Sequence, residues 1–189
     1  QALAIALAEA MAGEGRIVLV SGEAGIGKTS FVDRFIATAG RTARLLKGQC
    51  DSLFTPSPLG PLYDIARQTG GRLLAQLEAE APRAALFSTM LDLLRGQPQP
   101  VILLVEDVHW ADEATLDLIK YLGRRIAENP VLIILTYRGD EVGAGDVLAE
   151  VHARDEASAA EAEAAVLEAY ELAGEPPRER RIVLEVIGA

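Results

Sequence analysis

Residues 16–30 read RIVLVSGEAGIGKTS, a short β-branched run that passes through three glycines into a Lys-Thr pair. Arg16–Ser21 is apolar at nearly every position and ends on glycine, the pattern of a strand buried on both faces. Beyond it, Phe31, Val32, Phe35 and Ile36 recur at helical spacing, so a helix is expected over residues 28–39. Between strand and helix, Gly22 to Thr29 match G-x-x-x-x-G-K-[ST] in the structural context that this pattern requires. Glycines let such a loop turn its backbone N–H groups onto phosphate oxygens, and the helix that follows points its positive end at the same anion. Lys28 supplies a mobile charge for the β- and γ-phosphates, and the Thr29 hydroxyl is placed to ligate Mg²⁺. The expected cofactor-binding set is Gly22, Glu23, Ala24, Gly25, Ile26, Gly27, Lys28, Thr29 and Ser30.

A second acidic strand end sharpens this. Val101–Val105 followed by Glu106 and Asp107 is the strongest strand signal in the chain, closing on two adjacent carboxylates. At the C-terminal end of a parallel strand one such acid holds a metal shell and its neighbour orients or deprotonates water. Glu106 is read as the metal-side residue, sharing Mg²⁺ with Thr29 and partly through water, and Asp107 as the water-side residue. In His109-Trp110-Ala111-Asp112, Asp112 is the N-cap of a helix over about 113–128, Trp110 is expected to anchor that helix on the sheet, and His109 has a structural or supporting role. Val131–Tyr137 is a further buried strand, and Arg138 at its end is placed to read the γ-phosphate, the alternative being a surface arginine paired with Asp140 or Glu141. Arg124 and Arg125 suit a helix C-terminus, the alternative being a finger that reaches a neighbouring copy in nucleotide-dependent self-association.

The remaining elements fit an alternating order. A helix is expected over 2–12, a strand at Ala43–Lys47, a Pro-rich loop at Thr55–Pro61, and helices at Leu62–Arg67, Leu73–Ala79 and Arg83–Arg95. Strand–helix alternation implies a parallel sheet with helices on both faces. Ile182–Ile187 reads equally well as a strand or a short helix.

The 189 residues carry 18 basic and 28 acidic side chains, a net charge of −10. Residues 1–138 are nearly balanced, with 14 basic and 15 acidic, whereas residues 139–189 hold 4 against 13. The acidity therefore belongs to an Ala/Glu-rich tail expected to be helical, and it disfavours direct nucleic-acid binding by this chain. The expected division is a core over 1–141 and the tail over 142–189. One cysteine, Cys50, excludes an internal disulfide framework and fits a reducing, cytoplasmic setting. No apolar run approaches the roughly 20 residues needed to span a bilayer. The first residue is Gln1, and a longer parent chain is expected.

The segments VLVSGEAGIGKTSFVDRF, LLKGQCDSLFTPSPLGPLYDIAR, VILLVEDVHWADEATLDLIKYLGRRI and LIILTYRGDE together resemble the AAA-type ATPase module of the large LuxR-type bacterial regulators. Similar modules accompany some adenylate cyclases, and all belong to the signal-transduction (STAND) ATPases, relatives of origin-recognition-type AAA domains. The resemblance runs from about Ala2 to Glu141, with E-D-x-H-W-A-D its most specific part. It implies a three-layer P-loop NTPase fold, a parallel sheet ordered 5-1-4-3-2, an ATP/ADP switch with Mg²⁺, and the sensor position for Arg138. It also implies a preceding Gly-Arg-Glu segment for the base, and lid, repeat and output domains, as partners outside this sequence. Gln49-Cys50-Asp51 falls where the family often has a Cys-containing turn, and Glu106 replaces the commoner Asp.

The expected function is an ATP-binding, slowly hydrolysing regulatory module. A non-hydrolysing, nucleotide-dependent scaffold is the alternative, and a small-molecule phosphotransferase a weaker one, because residues 139–150 contain no lid arginine. No Asn-Lys-x-Asp guanine-reading motif occurs, which argues against a GTPase.

Overall fold

The continuous apolar runs form the strands and the periodic segments form the helices that cover them. The computed structural model describes residues 2–22, 25–39, 42–51, 58–138 and 183–188. In chain order they are α1 (Ala2–Met11), β1 (Arg16–Gly22), α2 (Lys28–Ala39), β2 (Arg44–Gln49), α3 (Gly60–Thr69), α4 (Gly71–Glu78), α5 (Arg83–Arg95), β3 (Val101–Glu106), a single 3-10 turn (Val108–Trp110), α6 (Glu113–Gly123), β4 (Val131–Arg138) and β5 (Val183–Gly188).

Every residue of β3 is buried, as are the first six of β4, because each strand has helices on both sides. Side chains alternate between the two faces. Val101, Leu103 and Val105 join a cluster built with α3, α4, α5 and α6. Ile102 and Leu104 join a second cluster with Leu3, Ala6 and Leu7 of α1 and Val32 of α2. Leu104 and Ile134 are wholly inaccessible, so truncating either to alanine costs about 2–5 kcal/mol.

The four parallel strands stand in the order 1-4-3-2, and β5 pairs with β1 on the far side. Here the all-parallel 5-1-4-3-2 sheet is corrected: β5 runs antiparallel to β1, Arg16 opposite Gly188 and Ser21 opposite Val183, so the sheet is mixed. This also decides between strand and helix for the final apolar run. These six residues lie in the same unit as β1–β4, although the expected division placed them in the tail.

Three further expectations change. Pro61 belongs to α3, not to a loop, because proline in the first helical turn forfeits no hydrogen bond. A side chain at Gly48, where α3 presses on β2, would force the backbone to shift: a Cβ there would lie 2.5 Å from the Pro61 carbonyl oxygen. The helix after Asp112 stops at Gly123, five residues early. Trp110 is 40% exposed and so does not anchor α6; buried Ala114, Leu118 and Leu122 do that. Residues 142–182 of the Ala/Glu-rich tail expected to be helical lie outside the described residues, as do residues 55–57 of the Pro-rich loop. Among the described residues no helix is long and apolar enough to cross a membrane.

The β2 main chain is also held from α3. Gln68 accepts from the Lys47 N–H at 3.1 Å and donates to the Lys47 carbonyl, and Asp64 accepts from the Gln49 N–H at 3.1 Å.

Candidate functional site

Parallel strands deliver their C-terminal ends to one edge of the sheet, where α/β proteins place their ligand crevices. β1 ends at Gly22, and α2 begins at Lys28 with Thr29 and Ser30 in its first turn. Gly25 and Gly27 hold φ of +76° and +97°, a left-handed backbone in which a side chain is strained, and a Cβ on either would meet nothing within 4 Å. The backbone is thus open at Gly25 and Gly27, as an approaching anion requires. The Gly27 carbonyl accepts from Phe31 N–H at 2.8 Å, closing the first helical bond. Lys28 is buried, and its Nζ donates to the Gly22 carbonyl at 2.7 Å, folding the side chain back along the loop. Gly25, Thr29 and Ser30 are exposed and Ile26 is half-buried, while Glu23 and Ala24 lie outside the described residues.

The register carries the other strands to the same edge. Arg138 stands opposite Gly22 across β1 and β4, with Thr136 opposite Val20. Glu106 stands opposite Gln49 across β3 and β2. By strand alternation Glu106 follows Ile102 and Leu104 onto the face that α2 covers, and Thr136 and Arg138 follow Leu132 and Ile134 onto it. Glu106 is buried, and its Oε2 lies 2.5 Å from Lys47 Nζ of β2.

Asp107 leaves the strand at φ +56°, a left-handed conformation tolerated by short polar side chains. Its N–H donates to Thr136 Oγ1 at 3.0 Å, and Thr136 is buried, so the strained residue is fixed from the neighbouring strand. The 3-10 turn that follows is tied back in the same way: the Arg138 N–H donates to His109 Nδ1 at 3.3 Å. That bond requires an unprotonated Nδ1. His109 thus meets the expectation of a supporting role, its ring 5.1 Å from that of Trp110.

Asp112 caps α6 as expected, accepting from Ala114 N–H at 2.9 Å and Thr115 N–H at 3.1 Å. It does more: Oδ2 also accepts from the Leu59 N–H at 3.0 Å and from the Thr115 hydroxyl, joining α6 to the start of α3. Burial pushes the Asp112 carboxyl upward, but the hydrogen bonds from Thr115, Leu59 and Ala114 outweigh it and hold it below its ordinary value. Cys50 is a buried thiol whose pKa burial, helped by Asp112 and Asp107, pushes up to about 12, so it is no nucleophile at neutral pH. Arg125, two residues past the end of α6, stacks on Tyr121, 3.9 Å from the ring centroid, and donates to the Tyr121 carbonyl.

The structure therefore gathers Gly22, Gly25–Ser30, Glu106, Asp107, Thr136 and Arg138 at one edge of the sheet. Lys47 and the anchoring by Thr136 were not expected. The signal for Lys47 was available in part, because Leu45 and Lys47 share a face of β2 as Ile102, Leu104 and Glu106 share a face of β3.

A glycine turn feeding a helix, a buried lysine beneath it and an acidic strand end beside it define a phosphate-loop α/β domain. Residues 1–134 match the family model of the AAA ATPase domain, and the chain belongs to that family. It is also similar, at 26% identity over 171 residues, to an uncharacterized protein of Rhizobium meliloti (strain 1021), covering 68% of this chain. The aligned stretch spans 17% of that relative's length.

Proposed function

We propose that this chain is an ATP-binding regulatory module that hydrolyses ATP slowly with Mg²⁺ and switches conformation inside a larger cytoplasmic signalling or transcription-regulator protein. The observation that carries the reading is the Lys28 ammonium, buried under an open glycine turn at a helix start and on the same edge as Glu106 and Asp107. The fit is chemical as well as topological: loop N–H groups and Lys28 suit phosphate, and the hydroxyl of Thr29 and the carboxylate of Glu106 are hard oxygen donors suited to Mg²⁺. When bound, Mg²⁺ neutralises charge on the β- and γ-phosphates.

The protein's own groups supply the rest. Gly22–Gly27 and Ser30 hold the phosphates by the loop and first helical turn. Asp107, fixed by Thr136, orients the attacking water and takes its proton. Arg138 distinguishes ATP from ADP by a charge-assisted contact at the γ-phosphate, and one such contact shifts a two-state equilibrium by about 1–3 kcal/mol. Lid, repeat and output domains of a longer protein, and nucleotide-dependent self-association, are the partners this reading calls for. Neither nucleic acid nor membrane is a direct ligand.

The test is ATP and ADP titration at millimolar Mg²⁺ together with phosphate release. Wild type is expected to bind both nucleotides and release phosphate slowly, Lys28→Ala to lose binding, and Asp107→Asn to bind without turnover. Binding unchanged in Lys28→Ala would remove the phosphate-loop assignment, and turnover unchanged in Asp107→Asn would remove the role of Asp107.

A further inference from the structure

The Glu106 carboxylate sits on the sheet face that carries the phosphate loop and its helix, and it is 6% exposed. A buried carboxylate needs a compensating charge. Its partner is Lys47 of β2, whose Nζ lies 2.5 Å from Oε2 and whose side chain is 37% exposed. The two ends of this ion pair are therefore unequal: the acid is held in the interior and the base reaches it from the rim.

The Lys47 backbone cannot follow its side chain. Its N–H and carbonyl are both bonded to Gln68, and its strand is paired to β3 along Arg44–Gln49. Any release of Glu106 by Lys47 is thus a side-chain rotation into water, with no strand shift.

We propose that Lys47 is a positioning residue that occupies Glu106 in the metal-free protein and must be displaced by the divalent cation arriving with nucleotide. Lys47 thereby sets the Mg²⁺ concentration at which nucleotide binding becomes tight. This rests on the proposed role of Glu106 and adds to it a built-in competitor. The exchange is one of charge alone: the ammonium leaves the carboxylate for water, and the cation takes its place. Two cations cannot share one carboxylate at close range without repulsion, which is why the exchange is competitive. Removing Lys47 raises the free energy of the metal-free state, by leaving Glu106 buried and unpaired, and removes a repulsive charge from the metal-bound one. Both effects strengthen Mg²⁺ binding.

The test uses the full chain, a fluorescent ATP analogue and MgCl₂. For Lys47→Met the Mg²⁺ concentration giving half-maximal binding of the analogue is expected to fall about three- to tenfold. Lys47→Arg, which keeps the charge, is expected to stay near wild type. Without nucleotide or metal, Lys47→Met is expected to melt below wild type and to recover more on adding Mg²⁺ than wild type does. An unchanged Mg²⁺ dependence in Lys47→Met, with analogue binding intact, overturns the role of Lys47 and leaves the nucleotide site standing. A wild-type chain that binds no analogue at any Mg²⁺ concentration overturns the nucleotide site, and the role of Lys47 with it. Should Lys47→Met fail to fold, the wild type carries the test through the ¹⁵N resonance of the Lys47 ammonium. That resonance is expected to shift on adding Mg²⁺ and ATP together, and its constancy through saturation overturns the proposal.

Discussion

Replacing Asp112 by alanine removes four hydrogen bonds at once, those from Leu59 N–H, Ala114 N–H, Thr115 N–H and the Thr115 hydroxyl. Loss of the N-cap alone costs about 1 kcal/mol. Thr115 is only 2% exposed, so its hydroxyl is left without water, and the Leu59 N–H loses a charged acceptor; each adds about 1 kcal/mol. The four bonds converge on one carboxylate and do not add independently, so about 3 kcal/mol in total is the expected loss. In a domain of this size that lowers Tm by roughly 6–12 °C. Urea and thermal unfolding of the 189-residue chain measure it. Asp112→Ser keeps a capping oxygen but is too short to hold Leu59 as well, so its loss is expected to be about half. A second signature is pH. The folded-state pKa of Asp112 is depressed, so its contribution is present above the ordinary carboxylate value and is lost as pH falls through the lower folded value. Wild type therefore loses more stability than Asp112→Ala does over that acid range. A variant within about 0.5 kcal/mol of wild type, the scatter of ordinary surface substitutions, would refute this account.

Gly48→Ala drives a Cβ to 2.5 Å from a main-chain oxygen of Pro61, and a destabilisation of about 1–3 kcal/mol is expected by urea unfolding. Cys50, with its thiol pushed up to about 12 by burial, is expected to ignore a thiol-reactive disulfide at neutral pH until urea unfolds the chain, as followed by absorbance. Thr136→Val leaves the Asp107 N–H without its acceptor; about 1–2 kcal/mol of stability is expected to go, and phosphate release is expected to fall more than ATP binding does.

The central strands were legible because their information is local. Val101–Glu106 is apolar from end to end and buried from end to end, so the run and the strand coincide. The loop glycines, Lys28 and the cap at Asp112 were legible for the same reason, since spacing along the chain is what these motifs consist of. What escaped depends on partners distant in sequence. The final apolar run suits a strand or a helix equally, and pairing with β1, more than 160 positions earlier, decides it. Pro61 reads as a breaker until a helix is seen to start at Gly60. Trp110 looks like an anchor by size, yet it is exposed, and small and branched residues of α6 are the buried ones. The Lys47–Glu106 pair joins two strands that are separated in sequence by three helices, and composition says nothing of it.

The bonds from α3 to the outer main chain of β2 bear on how copies of this protein can meet. A strand at the margin of a sheet is a template for another chain, because its outward N–H and carbonyl groups seek partners. Gln68 already satisfies both such groups of Lys47, and Asp64 takes the N–H of Gln49. An incoming strand would have to break those bonds and lift a helix that packs too closely at Gly48 to admit even a methyl group. At Lys47 and Gln49 that margin is thereby guarded against the addition of a strand from another copy, the first step of fibril-type growth.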